Sequence, residues 1–294
     1  MSDLLEAIVR TIAYADVFDY PLSAVEIHRY LIEVPASQHE VAELLSSPVH
    51  LGKRWVQVAD WYTLPGREEI VHIRRRRQEI ARRMWPRAVV YGGLIGALPY
   101  VRMVALTGAL AVDNVEPEAD IDYLIVTQPG RLWLCRAMTI LVVRWAARRG
   151  DVVCPNYLIS ERALTFPHRS LYTAHELVQM VPLAGLDVYR RMLQANVWVR
   201  DFLPNASLPM RTAPAPLPRW RWISRAAELG LSTPIGSALE RWEMERKIRR
   251  LSQENGRSAE TAFSADWCKG HFADHGQRSL RAFEERIRHL EGLP

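Results

Sequence analysis

The chain has 294 residues, 49% hydrophobic and 24% charged, which is ordinary for a globular protein with a sizeable core. Collagen-like, low-complexity and wholly disordered chains are excluded, and the length suggests two domains or one with a substantial appendage. The formal net charge is +5, and only Lys53, Lys247 and Lys269 are lysines, so arginine carries it. Arginine grips phosphate with paired hydrogen bonds, which permits a polyanionic partner without requiring one.

The first twenty residues lack the basic-then-apolar order of a secretory signal. Arginines interrupt the most apolar stretches before they reach the ~20 residues of a membrane span. Three scattered cysteines make no disulfide framework. A reduced, cytoplasmic protein without a membrane span is the expectation.

Leu4, Leu5, Ile8, Val9, Ile12 and Val17 repeat at helical spacing. After the turn Asp19-Tyr20-Pro21-Leu22, Ser23 with Glu26 forms a capping box, and Ser37 with Glu40 repeats it. Trp55–Val58 and Trp61–Leu64 read as a hairpin closed by Pro65-Gly66. Three helices and a hairpin make residues 1–66 similar to a winged helix. Such modules read DNA with a basic helix, but Gln38–Ser46 carries Glu40 and Glu43 and no Arg or Lys. Packing or partner docking is expected instead of DNA binding.

Arg67 to Trp85 reads as one helix within a linking segment, 67–99. Ile70, Ile73, Ile80 and Met84 form its inward stripe, with Arg74, Arg75, Arg76, Arg82 and Arg83 pointing elsewhere. Arg77 projects from the stripe and needs a partner, either a carboxylate of the next domain or a phosphate. Nine arginines and three glutamates between Arg67 and Arg102 concentrate the positive charge here, so the rest of the chain is nearly neutral.

The strand Val101–Leu106 runs into Thr107-Gly108-Ala109-Leu110-Ala111, and a polar stretch leads to Asp120-Ile121-Asp122-Tyr123-Leu124-Ile125-Val126. In a strand Asp120 and Asp122 share a face. Two close carboxylates repel and raise each other's pKa, a conflict that a divalent cation removes, and oxygen ligands suit Mg²⁺.

A strand, a glycine turn and an Asp-x-Asp strand about ten residues later resemble the nucleotidyltransferase superfamily typified by DNA polymerase beta. The likeness covers residues 100–160. It implies that Thr107, Gly108 and Ala109 bind the nucleotide's phosphates while Asp120 and Asp122 hold Mg²⁺. Ala109 stands where the family commonly has serine, and Thr107 is the available substitute. A third acid is common on a later strand; here that position falls near Asn156, with Asp151 before it and Glu161 beyond it.

Leu171 to Leu203 reads as helices broken at Pro182 and Gly185, and five prolines within 204–218 suggest an extended connector before further helices. Cys268, His271 and His275 offer three zinc ligands with no evident fourth, so a helix carrying histidines is the plainer reading. The expected architecture is α+β: a winged-helix-like module at 1–66, the linking helix at 67–99, a small mixed-sheet nucleotidyltransferase core with a helical wall at 100–205, and connector and helices at 206–294. The expected activity is Mg²⁺-dependent transfer of a nucleoside monophosphate from an NTP, ATP foremost, to an unidentified acceptor. Alternatives are a catalytically weakened nucleotide sensor and a DNA-binding regulator.

Overall fold

The structure is a computed structural model that describes residues 2–206, 211–215, 221–254, 262–269 and 275–291. The opening repeat builds α1 (Ser2–Asp16), whose Ile8, Val9, Ile12 and Ala13 are buried. α2 (Ala24–Arg29) and α3 (Gln38–Ser46) begin at their capping boxes. Ser23 and Ser37 accept the amides of Glu26 and Glu40, and each glutamate accepts its serine's amide in return. These exchanges satisfy amides that every helix start leaves without an internal partner. The hairpin of β1 (Val56–Val58) and β2 (Trp61–Thr63) follows.

α4 (Ile70–Gly96) continues well past Trp85, where the sequence reading stops it. Pro86 does not end the helix because it lies on the exposed face, where the carbonyl it leaves unpaired can be hydrated. The remaining elements are β3 (Val101–Thr107), α5 (Gly108–Ala111), β4 (Ile121–Thr127), α6 (Leu132–Ala147), β5 (Val153–Ser160), α7 (Leu171–Gln179), β6 (Val181–Ala184), α8 (Leu186–Ala195) and α9 (Val199–Phe202). They are followed by α10 (Arg221–Leu231), α11 (Pro234–Glu254), β7 (Ala262–Phe263), β8 (Trp267–Lys269) and α12 (His275–Glu291).

Six strands form one sheet in the order β6-β3-β4-β5-β8-β7. β4 and β5 are parallel and every other neighbouring pair is antiparallel. The fold is therefore α+β with a mixed sheet. Two strands depart from the sequence reading. The stretch around Pro182 is β6, an edge strand, where a residue without an N–H is tolerated. Cys268 lies in β8, paired with Leu158, rather than in a helix. His271 of the suggested zinc trio and Pro209, Pro216 and Pro218 of the connector lie outside the described residues.

Alternation along the strands sorts their side chains into two layers. Met103, Ala105, Leu124, Val126, Tyr157 and Ile159 belong to one apolar cluster with the buried residues of α1–α3, α7 and α8. Val104, Leu106, Tyr123, Ile125 and Leu158 face the other way, against α4, α6 and α11. Gly92 lets α4 lie close on that second face, since a Cβ there would stand 2.3 Å from Leu183 Cδ1. One continuous core thus joins the N-terminal helices to the sheet face that carries Asp122.

The arginines of α4 fasten this joint. Arg74, read as pointing outward, is only 5% exposed. Its guanidinium bonds Glu26 at 2.7 Å and the Pro21 carbonyl, and it lies 4.0 Å over the Tyr20 ring. Just before α4, Arg67 pairs with Asp16 and Asp19, whereas Arg82 and Arg83 share Glu79 on the exposed face of the helix and join nothing. Removing one member of a buried pair leaves an uncompensated charge and costs about 3–5 kcal/mol. No helix among the described residues is long and apolar enough to cross a membrane.

Candidate active site

The site forms where β3 ends beside the start of β4. Thr107 and Asp122 are partners across the antiparallel pair, and Asp122 is partnered with Cys154 across the parallel one. Gly108 makes the turn into α5 with φ +66°. A Cβ on Gly108 would stand 2.5 Å from Asp122 Oδ2, so the Asp122 carboxylate lies directly on the glycine backbone. Glycine is required here twice over, for its left-handed conformation and for the absent side chain.

Asp120 is exposed and sits just before β4, which begins one residue later than the strand the sequence suggests. It still reaches its neighbour: ligand atoms of Asp120, Asp122 and Cys154 all lie within 4.8 Å of one another. Burial pushes the Asp122 carboxyl up to about 7, helped by the charge of Asp120 and opposed by a hydrogen bond from the Cys154 thiol. Burial and the two aspartates push that thiol up to about 12, so Cys154 stays protonated and acts as a donor. Among the described residues, no lysine or arginine forms a salt bridge with either aspartate. The two carboxylates thus have no salt-bridge partner among the described residues, and Thr107 Oγ1 beside them is buried without a hydrogen-bond partner among those residues. This donor set fits a small hard cation such as Mg²⁺, with the protonated thiol outside the ligand set.

The other sequence-selected residues separate. Asn156 falls in a bulge of β5, between the pairs Asp122–Cys154 and Leu124–Tyr157, so Cys154 takes the place expected for it beside Asp122. Asp151 is buried on the α4 side, bonded to Arg87 and, at 2.6 Å, to the Tyr91 hydroxyl. Glu161 pairs with Arg191. Arg77 is committed to Glu116 at 2.6 Å, to the Phe18 carbonyl at 3.0 Å and to Asn114 at 3.2 Å. Its partner is thus a carboxylate of the core rather than a phosphate. Ala109 is exposed on the turn.

Glu176 of α7 brings a further carboxylate near Asp122, outside the cluster that Asp120, Asp122 and Cys154 form. Glu176 is close enough to raise the Asp122 pKa and accepts a hydrogen bond from Tyr157 at 3.3 Å. No local sequence signal marks it, since α7 reads as an ordinary amphipathic helix capped by Ser170. Glu176 and Tyr172 line two cavities at once. One, of about 190 Å³, is walled by aromatic rings and reaches Gly108 and Ala109. The other, of about 780 Å³, carries His168, Arg169, Lys269 and His275. Compared with protein-family models, curated proteins and solved structures, the chain matches none.

Proposed function

We propose that the chain is a divalent-cation-dependent nucleotidyltransferase, similar to the DNA polymerase beta superfamily, with Mg²⁺ held by Asp120 and Asp122. The observation that carries the reading is the seat of Asp122 against the Gly108 turn, with Asp120 in reach and no salt bridge to the pair among the described residues. Bound Mg²⁺ would supply charge neutralisation and in-line alignment at the transferred phosphorus.

The chain's own residues have distinct tasks. The turn at Gly108 and Ala109 presents backbone at the phosphates with no side chain in the way, and Thr107 Oγ1 is a spare donor at the same place. Glu176 stands between the two cavities and is the carboxylate placed to take a proton from an acceptor hydroxyl. The basic residues of the larger cavity suit an anionic acceptor or the departing pyrophosphate. The N-terminal module serves as a wall of the site, and the exposed Glu40 and Glu43 of α3 favour that role over DNA reading.

Calorimetric titration of ATP with Mg²⁺ tests the assignment. Asp120→Asn with Asp122→Asn should abolish cation-dependent binding, and an unchanged titration would refute the site. A nucleotide-sensing protein without transfer is the second reading, favoured by Cys154 standing beside Asp122 where an acid would assist catalysis. Release of pyrophosphate from labelled ATP in the presence of acceptor candidates excludes it.

A further inference from the structure

The smaller cavity has a composition that the phosphate chemistry does not call for. Tyr14, Phe18, Tyr20 and Tyr30 come from the N-terminal module, and Tyr172 and His175 from α7. Tyr14 and His175 are already stacked, with ring centroids 4.4 Å apart and planes 15° from parallel. Among the described residues, no arginine or lysine lines the cavity, and Glu176 is the one carboxylate that does. Its volume of about 190 Å³ exceeds the ~150 Å³ of a cavity known to hold benzene. It falls short of the ~300–1,000 Å³ typical for drug-sized ligands. It takes one planar ring system, not a whole nucleotide.

The lining also contains an unmet polar demand. Gln179 donates to His175 Nδ1 at 3.2 Å, which places the imidazole proton on Nε2, and that nitrogen, occluded behind the ring, has no partner among the described residues. Gly108 and Ala109 are the exposed residues of the lining, with Phe18, Tyr172 and Glu176 half-buried, so the cavity opens toward the turn that seats Asp122.

We propose that this cavity is a recognition site for an uncharged planar heteroaromatic ring, with the substituent of that ring passing over Gly108 to Asp120 and Asp122. The identity of the substituent rests on the nucleotidyltransferase reading; the ring site does not. Two sources share this chemistry, the nucleobase of the NTP and a ring on the acceptor. In either case the N-terminal module completes the substrate site.

The test uses the full chain and calorimetry with adenine, indole, ATP–Mg²⁺ and inorganic triphosphate–Mg²⁺. Phe18→Ala removes a partly exposed ring from the wall, and Val112→Phe fills the space; circular dichroism reports that each variant is folded. If the nucleobase occupies the cavity, both variants weaken ATP about tenfold, the scale of a lost stacking contact, and leave triphosphate unchanged. If the acceptor supplies the ring, adenine or indole binds the wild type and is lost in both variants while ATP is unaffected. Failure of adenine and indole to bind, with ATP unchanged in both variants, overturns the proposal. Failure of the nucleotidyltransferase reading is separately visible. Triphosphate binding would then survive Asp120→Asn with Asp122→Asn, whereas adenine carries no phosphate and reports on the ring site alone.

Discussion

Asp122→Asn should make the cation-free protein more stable, by an amount that depends on pH in a defined direction. The folded chain holds the Asp122 proton up to about pH 7, against 3.8 for an unstrained carboxyl. The folded state therefore binds the proton more tightly than the unfolded state. Stability is greatest below the unfolded value and falls as pH rises from 4 to 7, where folded Asp122 ionises. Three pH units at 1.36 kcal/mol each give about 4 kcal/mol, and screening at the partly exposed carboxylate reduces this to about 2–4 kcal/mol. At about 2–4 °C per kcal/mol, asparagine raises Tm on the order of 5–10 °C at pH 8 in EDTA. The assay is thermal unfolding of both proteins from pH 4 to 8.5, with and without Mg²⁺. The variant's advantage should grow between pH 4 and 7 and level off above, and Mg²⁺ should stabilise the wild type alone. A difference constant across pH, or equal stabilisation of both proteins by Mg²⁺, would refute the electrostatic account of the site.

Gly108→Ala places a side chain at φ +66° and against the Asp122 carboxylate. Urea unfolding should show a loss of at least about 1–2 kcal/mol, together with loss of triphosphate binding by calorimetry. Arg77→Ala breaks the bonds to Glu116, Phe18 and Asn114 and should cost about 1.5–3 kcal/mol. It should leave triphosphate affinity unchanged; a tenfold loss would restore the phosphate role. Glu26→Ala strands the buried Arg74 and should cost about 3–5 kcal/mol in the same urea assay. Glu176→Gln keeps shape but removes the carboxylate, so pyrophosphate release should slow by about 10²–10⁴ with ATP affinity retained. An unchanged rate excludes Glu176 as the base.

Local chemistry was legible where a few neighbouring residues decide the outcome. Ser23 with Glu26 and Ser37 with Glu40 are self-contained exchanges of hydrogen bonds, so their helices start where the residues say. The glycine after β3 and Asp122 in β4 likewise follow from the local pattern, because strand alternation needs no distant partner. Pro86 misled because its effect depends on which face of α4 meets solvent. The resemblance implies a third acid on a later strand, near Asn156, but a bulge in β5 shifts Asn156 out of register and Cys154 lies opposite Asp122.

The arginines show the same division on a larger scale. Their concentration between Arg67 and Arg102 is a property of the sequence, and it invites a phosphate. Only the packing of α4 and the turn before it against the N-terminal helices and the 108–120 segment turns Arg67, Arg74 and Arg77 into clasps on Asp16, Glu26 and Glu116. The sequence by itself determined the α+β class, the glycine turn and the pair of carboxylates, because each rests on contacts a few residues apart. Tertiary structure decided that Glu176 of α7 comes near Asp122 and that the N-terminal aromatics wall the cavity reaching Gly108. Those groups are separated along the chain by up to 160 residues and meet only because one hydrophobic core draws their helices onto the same face of the sheet.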